Sequence, residues 1–301
     1  YFDLDLGDFN HDGKLDILAA RDGYGVSVWA GDGAGNWTPY NTNLPSSGAF
    51  FNALFGHIDH DGNPDILATQ LYNGLRMWTA GEASPPTFAN FWPTGWITNT
   101  RSPSPYVDVL DTGSGLNVNT AAYRYSTNGG ASWSGYFSAT ISGASGVTST
   151  QTMTATNVPF GQDSADQNLV EFRIADVAGN ANNAQYTVQI DITPPNAPTS
   201  LSSTDHTVST WSNDNTINVS WSGASDATSG VSGYSVLFDQ LSTTLPNATI
   251  ETYGDSFTSG VLADATNWYA HVRTRDAAGN WSATARHSGP YWIDTTPPNN
   301  P

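Results

Sequence analysis

The sequence predicts an all-β chain, and three observations predict it. Gly and Pro are abundant, at 29 and 17 of 301 residues, and aromatic residues make up 12 %, while the runs of Leu, Glu, Lys and Ala that build helices are missing. Short apolar stretches alternate with period two between clusters of Gly, Pro, Asn and Asp, as half-buried strands between turns do. Two internal repeats divide the chain, one of about 50 residues and one of about 100, so the length is spread over several units, each able to bury its own core.

The first repeat pairs "LGDFNHDGKLDILAARDGYGVSVWAG", from Leu6, with "FGHIDHDGNPDILATQLYNGLRMWTA", from Phe55, at a constant offset of 49 residues. Ahead of each acidic loop the apolar residues alternate, Phe2, Leu4, Leu6 in one copy and Phe51, Ala53, Phe55 in the other, which predicts a half-buried strand. "DILAA" and "DILAT" read as short buried strands, and "VSVW" and "LRMW" as a further strand after a Gly-containing turn. Several short strands in a 50-residue repeat are the pattern of a propeller blade. Two blades are expected over residues 1–83.

Within the first loop, Asp8, Asn10, Asp12 and Asp16 place side-chain oxygens at positions 1, 3, 5 and 9, with Gly13 at position 6 and the carbonyl of Lys14 at position 7. Alternate side chains of a tight loop converge on one point, and glycine permits the reversal, as in the first part of an EF-hand loop. Position 12 is Ala19 and the flanks are strands, so the EF-hand itself is excluded. Three carboxylates with an amide and a carbonyl are hard donors that favour Ca²⁺ over zinc or copper. The other reading is an acidic Asx-turn hairpin without metal. In the second loop His57, Asp59, Asp61, Asn63 (through its carbonyl) and Asp65 take the same positions; His57 is a nitrogen donor poorly matched to calcium. His11 and His60 fall at a position that faces solvent. The chain has no cysteine, and a structural ion would supply the cross-link that disulfides give other exported domains.

These residues, in the pattern "GDFNHDGKLDILAA…GVSVWAGDGAGNW", resemble the FG-GAP or VCBS type of repeat. The resemblance implies blades of an integrin-like β-propeller and a calcium ion in the acidic loop. That family closes rings of about seven blades, so the resemblance also implies that further blades precede Tyr1 or come from a neighbouring chain.

The second repeat pairs "FRIADVAGN…VQIDITPPNAP", from Phe172, with "VRTRDAAGN…YWIDTTPPNNP", from Val272. Two units of about 100 residues, rich in alternating strands, predict two tandem β-sandwiches over 84–195 and 196–298, with 299–301 opening a linker to a further module. Pro85-Pro86, Pro194-Pro195 and Pro297-Pro298 are expected to be semi-rigid boundaries, since Pro fixes φ and removes a donor. "YRYSTNGGASWS", from Tyr123, and "INVSWSGASDATSGVSGYSV", from Ile217, resemble bacterial Ig-like and fibronectin type III-like modules. Trp133 and Trp221 are read as core or strand-edge aromatics rather than sugar platforms. Asp111, Asp176, Asp226 and Asp276 stand in Gly-containing turns, read as ordinary hairpin turns with a second class of calcium site as the alternative. Asn36, Asn218, Asn247 and Asn280 begin N-x-S/T triplets, which chance explains in so Asn- and Thr-rich a chain.

A net charge of −18, from 27 acidic and 9 basic residues, argues against nucleic acid or an anionic membrane as partner. No run approaches 18 apolar residues, so no membrane span is expected and any anchor is expected to lie outside these residues. The six histidines form no H-E-x-x-H, and no G-x-S-x-G elbow, P-loop or dinucleotide fingerprint occurs; the reading is therefore not an enzyme. The expected role is a structural or adhesive segment of a modular extracellular or cell-surface bacterial protein, a stalk, sheath or filament subunit stabilised by calcium. Its expected partners are calcium, copies of itself or neighbouring modules, and surface polysaccharide. The alternative is a carbohydrate-binding or accessory region of a larger secreted hydrolase.

Overall fold

A computed structural model describes residues 3–10, 12–40, 44–58, 63–78 and 84–299. Phe2, His11, Asp59, His60, Asp61 and the last residues of the second expected blade, 79–83, lie outside the described residues. Among the described residues every regular element is a strand.

β1 (Asp3–Gly7), β2 (Asp16–Arg21), β3 (Gly25–Gly31) and β4 (Trp37–Tyr40) form an antiparallel sheet in sequence order. β5 (Phe50–Gly56), β6 (Asp65–Gln70) and β7 (Gly74–Trp78) form a second one. Each copy of the 49-residue repeat is thus one small meander. The two sheets face each other across Leu18, Ala20, Val26 and Val28 from the first and Phe50, Ala53, Ile66 and Ala68 from the second, apolar area whose removal from water drives the pairing. Gly25 is required where the chain between the sheets passes: its φ is +80°, and an added Cβ would lie 1.7 Å from the Pro45 carbonyl oxygen.

One expectation about these strands is overturned. Leu4 and Leu6 alternate as expected but are 60 % and 56 % exposed, because Asp3 and Asp5 point to the covered side instead. There Asp3 Oδ2 accepts the Ala53 amide at 3.2 Å and Asp5 Oδ2 the Phe55 amide at 2.7 Å, tying β1 to β5. In β5 an irregularity between Phe50 and Asn52 shifts the register, so Phe50 is buried while Phe51 is 36 % exposed.

The third unit is a two-sheet sandwich. β8 (Thr87–Trp92), β9 (Tyr106–Leu110), β10 (Leu116–Ser126), β11 (Phe137–Ser138), β12 (Thr140–Ile141), β13 (Gln151–Thr154), β14 (Leu169–Asp176) and β15 (Ala181–Thr187) divide into sheets ordered β12-β13-β9-β8 and β11-β10-β14-β15. Val107, Val109, Met153, Val170, Phe172 and Ile174 meet between them, the inward halves of period-two strands. A second sandwich follows from β16 (Ser200–Ser203), β17 (Trp211–Ser212), β18 (Asn218–Ser222), β19 (Val231–Asp239), β20 (Ser256–Thr258), β21 (Ala265–Asp276) and β22 (Arg286–Ile293). Its sheets are ordered β16-β18-β20 and β17-β22-β21-β19, with β17 parallel to β22. Val219, Trp221, Val236, Val272, Tyr291 and Ile293 fill its centre.

On the outer face of the first sandwich, Glu171 is nearly buried and accepts both Arg124 nitrogens, at 2.8 and 3.1 Å, and the Tyr136 hydroxyl at 2.6 Å. Burial pushes the Glu171 carboxyl up, but the hydrogen bonds from Arg124 and Tyr136 outweigh it and leave the folded carboxyl below its ordinary range. A carboxyl lowered on folding stabilises above its unfolded pKa and loses that contribution as pH falls through the folded one. Glu171→Gln is therefore expected to lower stability at pH 7 by about 1.5 to 3 kcal/mol, the worth of hydrogen bonds to a charged group. The deficit should shrink below the ordinary Glu range; denaturant melts of both proteins at pH 7 and pH 3 check it, and a deficit unchanged with pH would refute the ion pair as its source.

Candidate metal centres and neighbouring side chains

The first acidic loop joins β1 to β2, and its reversal is made at Gly13 with φ +79°. Asp8 Oδ1 and Asn10 Oδ1 each accept the Asp12 amide at 3.0 Å, so these two oxygens converge on one point of the loop. Asp8 Oδ2 also accepts the Gly13 amide, at 2.9 Å. Asp12 turns outward: Oδ1 accepts the Lys14 amide at 2.9 Å and Oδ2 lies 3.7 Å from Lys14 Nζ. Asp16 is fully buried, with Oδ2 accepting the Phe9 and Asn10 amides at 2.8 and 3.2 Å and Oδ1 the Gly31 amide at 3.0 Å. The loop therefore gathers Asp8 and Asn10, while Asp8, Asp12 and Asp16 form no group with all three carboxylates within 4.8 Å of one another. Asp12 and Asp16 are instead each taken up by backbone amides. The donor set remains all oxygen, which fits a hard divalent cation.

The second loop repeats the buried hub. Asp65 is fully buried and its Oδ2 accepts the Ile58 amide, the counterpart of Phe9 at the offset of 49. His57 Nδ1 lies 3.1 Å from the Asn63 carbonyl oxygen, so these two expected ligands are engaged with each other. Asp59 and Asp61 lie outside the described residues.

A carboxylate cluster stands where the two sandwiches join; the sequence points to two of its members, Asp226 and Asp276, as an alternative calcium site, and to neither Asp191 nor the meeting of the three. Asp191, after the last strand of the first sandwich, meets Asp226, in the loop before β19, and Asp276, at the end of β21; one oxygen from each lies within 4.8 Å of the others. Asp191 and Asp276 are fully buried and Asp226 is half-buried. Among the described residues no Lys, Arg or His nitrogen comes within ion-pair distance of the three. Burial, first, and then Asp226 and Asp276 push the Asp191 carboxyl above its ordinary range.

Local turn chemistry positions each member. Asp276 Oδ1 accepts the Gly279 and Asn280 amides at 2.6 and 2.7 Å, and Asn280 Nδ2 donates to Asp276 Oδ2 at 2.9 Å. Asp176 holds the matching "DVAGN" turn through Asn180 in the same way, at 2.7 and 2.8 Å. Asp226 Oδ1 accepts the Thr228, Ser229 and Gly230 amides at 3.0, 2.9 and 2.9 Å. The turns are thus the Asx turns their composition predicts. What composition does not reveal is that Asp191 joins two of them: its Oδ2 accepts the Ser229 amide at 3.2 Å, and Asn280 Nδ2 reaches its carbonyl at 2.9 Å. Asn280, one of the N-x-S/T asparagines, is spent on this junction. Asp111 holds a turn of its own, accepting the Gly115 amide at 2.7 Å.

Trp221 is a core residue at 3 % exposure. Trp133 is half-buried with the Arg124 guanidinium 4.7 Å from its ring centre, and Tyr136 holds the same guanidinium at 5.0 Å, so both rings pack against this cation. In the second sandwich the buried His271 lies 2.7 Å from His287 Nδ1 and 3.0 Å from Asp239, a polar chain across β19, β21 and β22.

A family model described as FG-GAP-like repeat matches residues 8–68, the span of both acidic loops. No curated protein matches the chain. Among solved structures, a crystal structure of titin domains matches at 10 % identity and a TM-score of 0.46, covering 97 % of this chain and 98 % of that one. A Ca²⁺-stabilised adhesin, described as helping an Antarctic bacterium reach out and bind ice, matches at 15 % identity and a TM-score of 0.37, covering 97 % and 74 %. Fibronectin(III)-like modules of Clostridium thermocellum CbhA match at 12 % identity and a TM-score of 0.31, covering 67 % and 90 %. At these scores the likenesses say nothing about ligand or partner. The described residues form an all-β chain in which the stretch that matches the FG-GAP-like repeat model lies ahead of two sheet sandwiches.

Proposed function

We propose that the chain is a non-catalytic structural or adhesive segment of a modular extracellular protein, and that calcium stiffens it. The observation that supports this reading is the meeting of Asp191, Asp226 and Asp276 at the junction of two sandwiches, with no Lys, Arg or His nitrogen within ion-pair distance among the described residues. Buried like charges are costly unless a cation compensates them, and a set of carboxylate oxygens suits Ca²⁺. The loop residues Asp8, Asn10, Asp12, Lys14 and Asp16, with His57, Asp59, Asp61, Asn63 and Asp65 in the second copy, supply the same chemistry to the N-terminal sheets. When bound, the ion would neutralise carboxylates and pin strands or domains that otherwise hold each other through a few hydrogen bonds. The protein's own residues do the positioning: amides orient Asp8, Asp16, Asp226 and Asp276, and Asn280 fixes the chain at Asp191.

Calcium is expected to raise the melting temperature relative to chelator by an amount equivalent to about 1.4 kcal/mol for each tenfold excess over Kd, with magnesium weaker. Calorimetric melts in calcium, magnesium and chelator check it. Identical melts in all three would sink the calcium reading.

A further inference from the structure

Along β19 and β21, Val236, Ala270 and Val272 point into the core of the second sandwich. Period two therefore turns Leu237 and His271 to the opposite, outer face, with His287 of β22 beside them. An outer face is normally wet, yet His271 is fully buried. Its cover is a strap, residues 240–252, that crosses this face after β19. Arg273 Nη1 donates to the Pro246 carbonyl at 3.4 Å, the Ser235 hydroxyl to Asn247 Oδ1 at 3.3 Å and Asn267 Nδ2 to the Gln240 carbonyl at 3.2 Å, and Pro246 is buried. At its far end the strap seals the outer edge of β19: the Tyr234 amide donates to the Thr252 carbonyl at 2.9 Å and the Val236 amide to Glu251 Oε2 at 3.0 Å.

The polar chain beneath the strap has a limited capacity for protons. A carboxylate oxygen accepts and cannot donate, so the 3.0 Å contact with Asp239 Oδ1 puts a hydrogen on His271 Nε2. Neutral His271 then has a bare Nδ1, and the 2.7 Å contact with His287 Nδ1 is made by the hydrogen of His287. A hydrogen on each Nδ1 would set two N–H groups head to head at that distance. Two imidazolium rings therefore cannot share the closed site, whereas two rings released from it each take a proton in acid.

The charged groups around the pair do not undo this. Asp239, from β19, favours a proton on the pair, and Arg286, next to His287 on β22, opposes one. Arg273, on β21, is engaged with the Ser282 and Pro246 carbonyls, and Tyr269, on the same strand, stacks 6.5 Å from the His271 ring. Residues 240–250 carry no ionisable side chain, and Glu251 is held by the Val236 amide. Burial first, and then His271 and Arg286, hold the His287 imidazole below its ordinary range against the pull of Asp239.

We propose that His271 and His287 form an acid-released latch: acidification drives the two rings apart, the strap lifts, and the Tyr234 and Val236 amides are bared along an unpaired sheet edge. A group whose pKa is depressed on folding contributes stability that is complete above its unfolded value and is lost as pH falls. The latch is thus shut at pH 7.5 and weakened at pH 5.5. It goes beyond the structural reading above and does not require calcium at the sandwich junction.

Amide exchange of the 301-residue chain at pH 7.5 and 5.5, corrected for the intrinsic pH dependence of exchange, tests it. Protection of Tyr234 and Val236 is expected to fall severalfold at pH 5.5, with about tenfold the limit for each proton the closed pair refuses one unit below the ordinary imidazole value. Phe172, in the first sandwich, should keep its protection. His287→Asn places an amide where Nδ1 stands, which donates to neutral His271 or turns its oxygen to a protonated one, so this variant should stay protected at both pH values. Unchanged protection in wild type, an equal fall at Phe172, or a loss as large in His287→Asn would overturn the proposal. If His287→Asn does not fold, the imidazole titration of wild type followed by NMR decides: His287 protonating below the ordinary imidazole range supports the latch, and protonation at or above it overturns the latch.

Discussion

Asp16→Ala is expected to destabilise the N-terminal sheets by about 3 to 5 kcal/mol whether or not calcium is present. The Asp16 side chain is fully buried and takes three backbone donors, from Phe9, Asn10 and Gly31. Alanine leaves all three without an acceptor, and each buried donor so stranded costs about 1 to 3 kcal/mol, partly offset where water reaches the loop. The Gly31 amide belongs to β3 while the other two belong to the loop, so one carboxylate holds the loop and the next strand in register. Asp8→Ala is the contrasting change, because the Asp12 and Gly13 amides it serves are exposed and water replaces the lost acceptor. That variant should melt within about 1 kcal/mol of wild type in chelator and lose the calcium increment of the N-terminal part. Amide exchange at Phe9, Asn10 and Gly31 reports the local effect: rapid exchange in Asp16→Ala and near-native protection in Asp8→Ala are expected. Equal loss of protection in both would remove the distinction between a buried structural carboxylate and an exposed ligand.

Much of this architecture is legible in the residues, and the rest is hidden for physical reasons. The gapless copies from Leu6 and Phe55 announce two equivalent meanders, because strand, acidic loop and strand have compositions that no helix shares. The sandwich cores follow from period-two strands such as Leu169–Asp176. Period two, however, shows only that two sides differ. Which side another sheet covers depends on a neighbour the strand itself does not encode, and so Leu4 and Leu6 turn out exposed while Asp3 and Asp5 face β5. The acidic loop shows a similar split. Its ligand order is plain in the sequence, yet Asp12 turns to Lys14 and Asp16 to backbone amides, because a carboxylate takes the nearest donor. The turns at Asp226 and Asp276 are readable one at a time. Their meeting with Asp191 is a product of tertiary packing between two units, and no local spacing carries it.

That meeting makes a prediction whose sign depends on the ion. In chelator at pH 7, Asp226→Asn is expected to stabilise the sandwich junction. Two unit charges within 4.8 Å of each other repel by at least about 3.5 kcal/mol at an effective dielectric of 20, and the solvent reaching half-buried Asp226 reduces the net gain to about 1 to 2 kcal/mol. The amide keeps the oxygen that serves Thr228, Ser229 and Gly230, so the substitution removes charge with little change of shape. The pH dependence follows with its own sign. Asp191 has its folded carboxyl raised by burial and by its two neighbours, so the folded state binds a proton more tightly than the unfolded chain. Its contribution is favourable at acid pH and is lost as pH rises through the raised value, opposite to that of Glu171. Wild type in chelator should therefore gain junction stability on acidification from pH 7, and Asp226→Asn should gain less. With saturating calcium the order is expected to reverse: Asp191, Asp226 and Asp276 would then serve as ligands rather than repel one another, and the variant, lacking one, would forfeit about 2 to 3 kcal/mol of the bound-state gain at a hundredfold excess over the wild-type Kd. Denaturant melts of both proteins in chelator and in calcium decide the matter. A variant more stable under both conditions would mean repulsion without a bridging ion, and one less stable under both would mean that Asp226 acts through its hydrogen bonds and not through its charge.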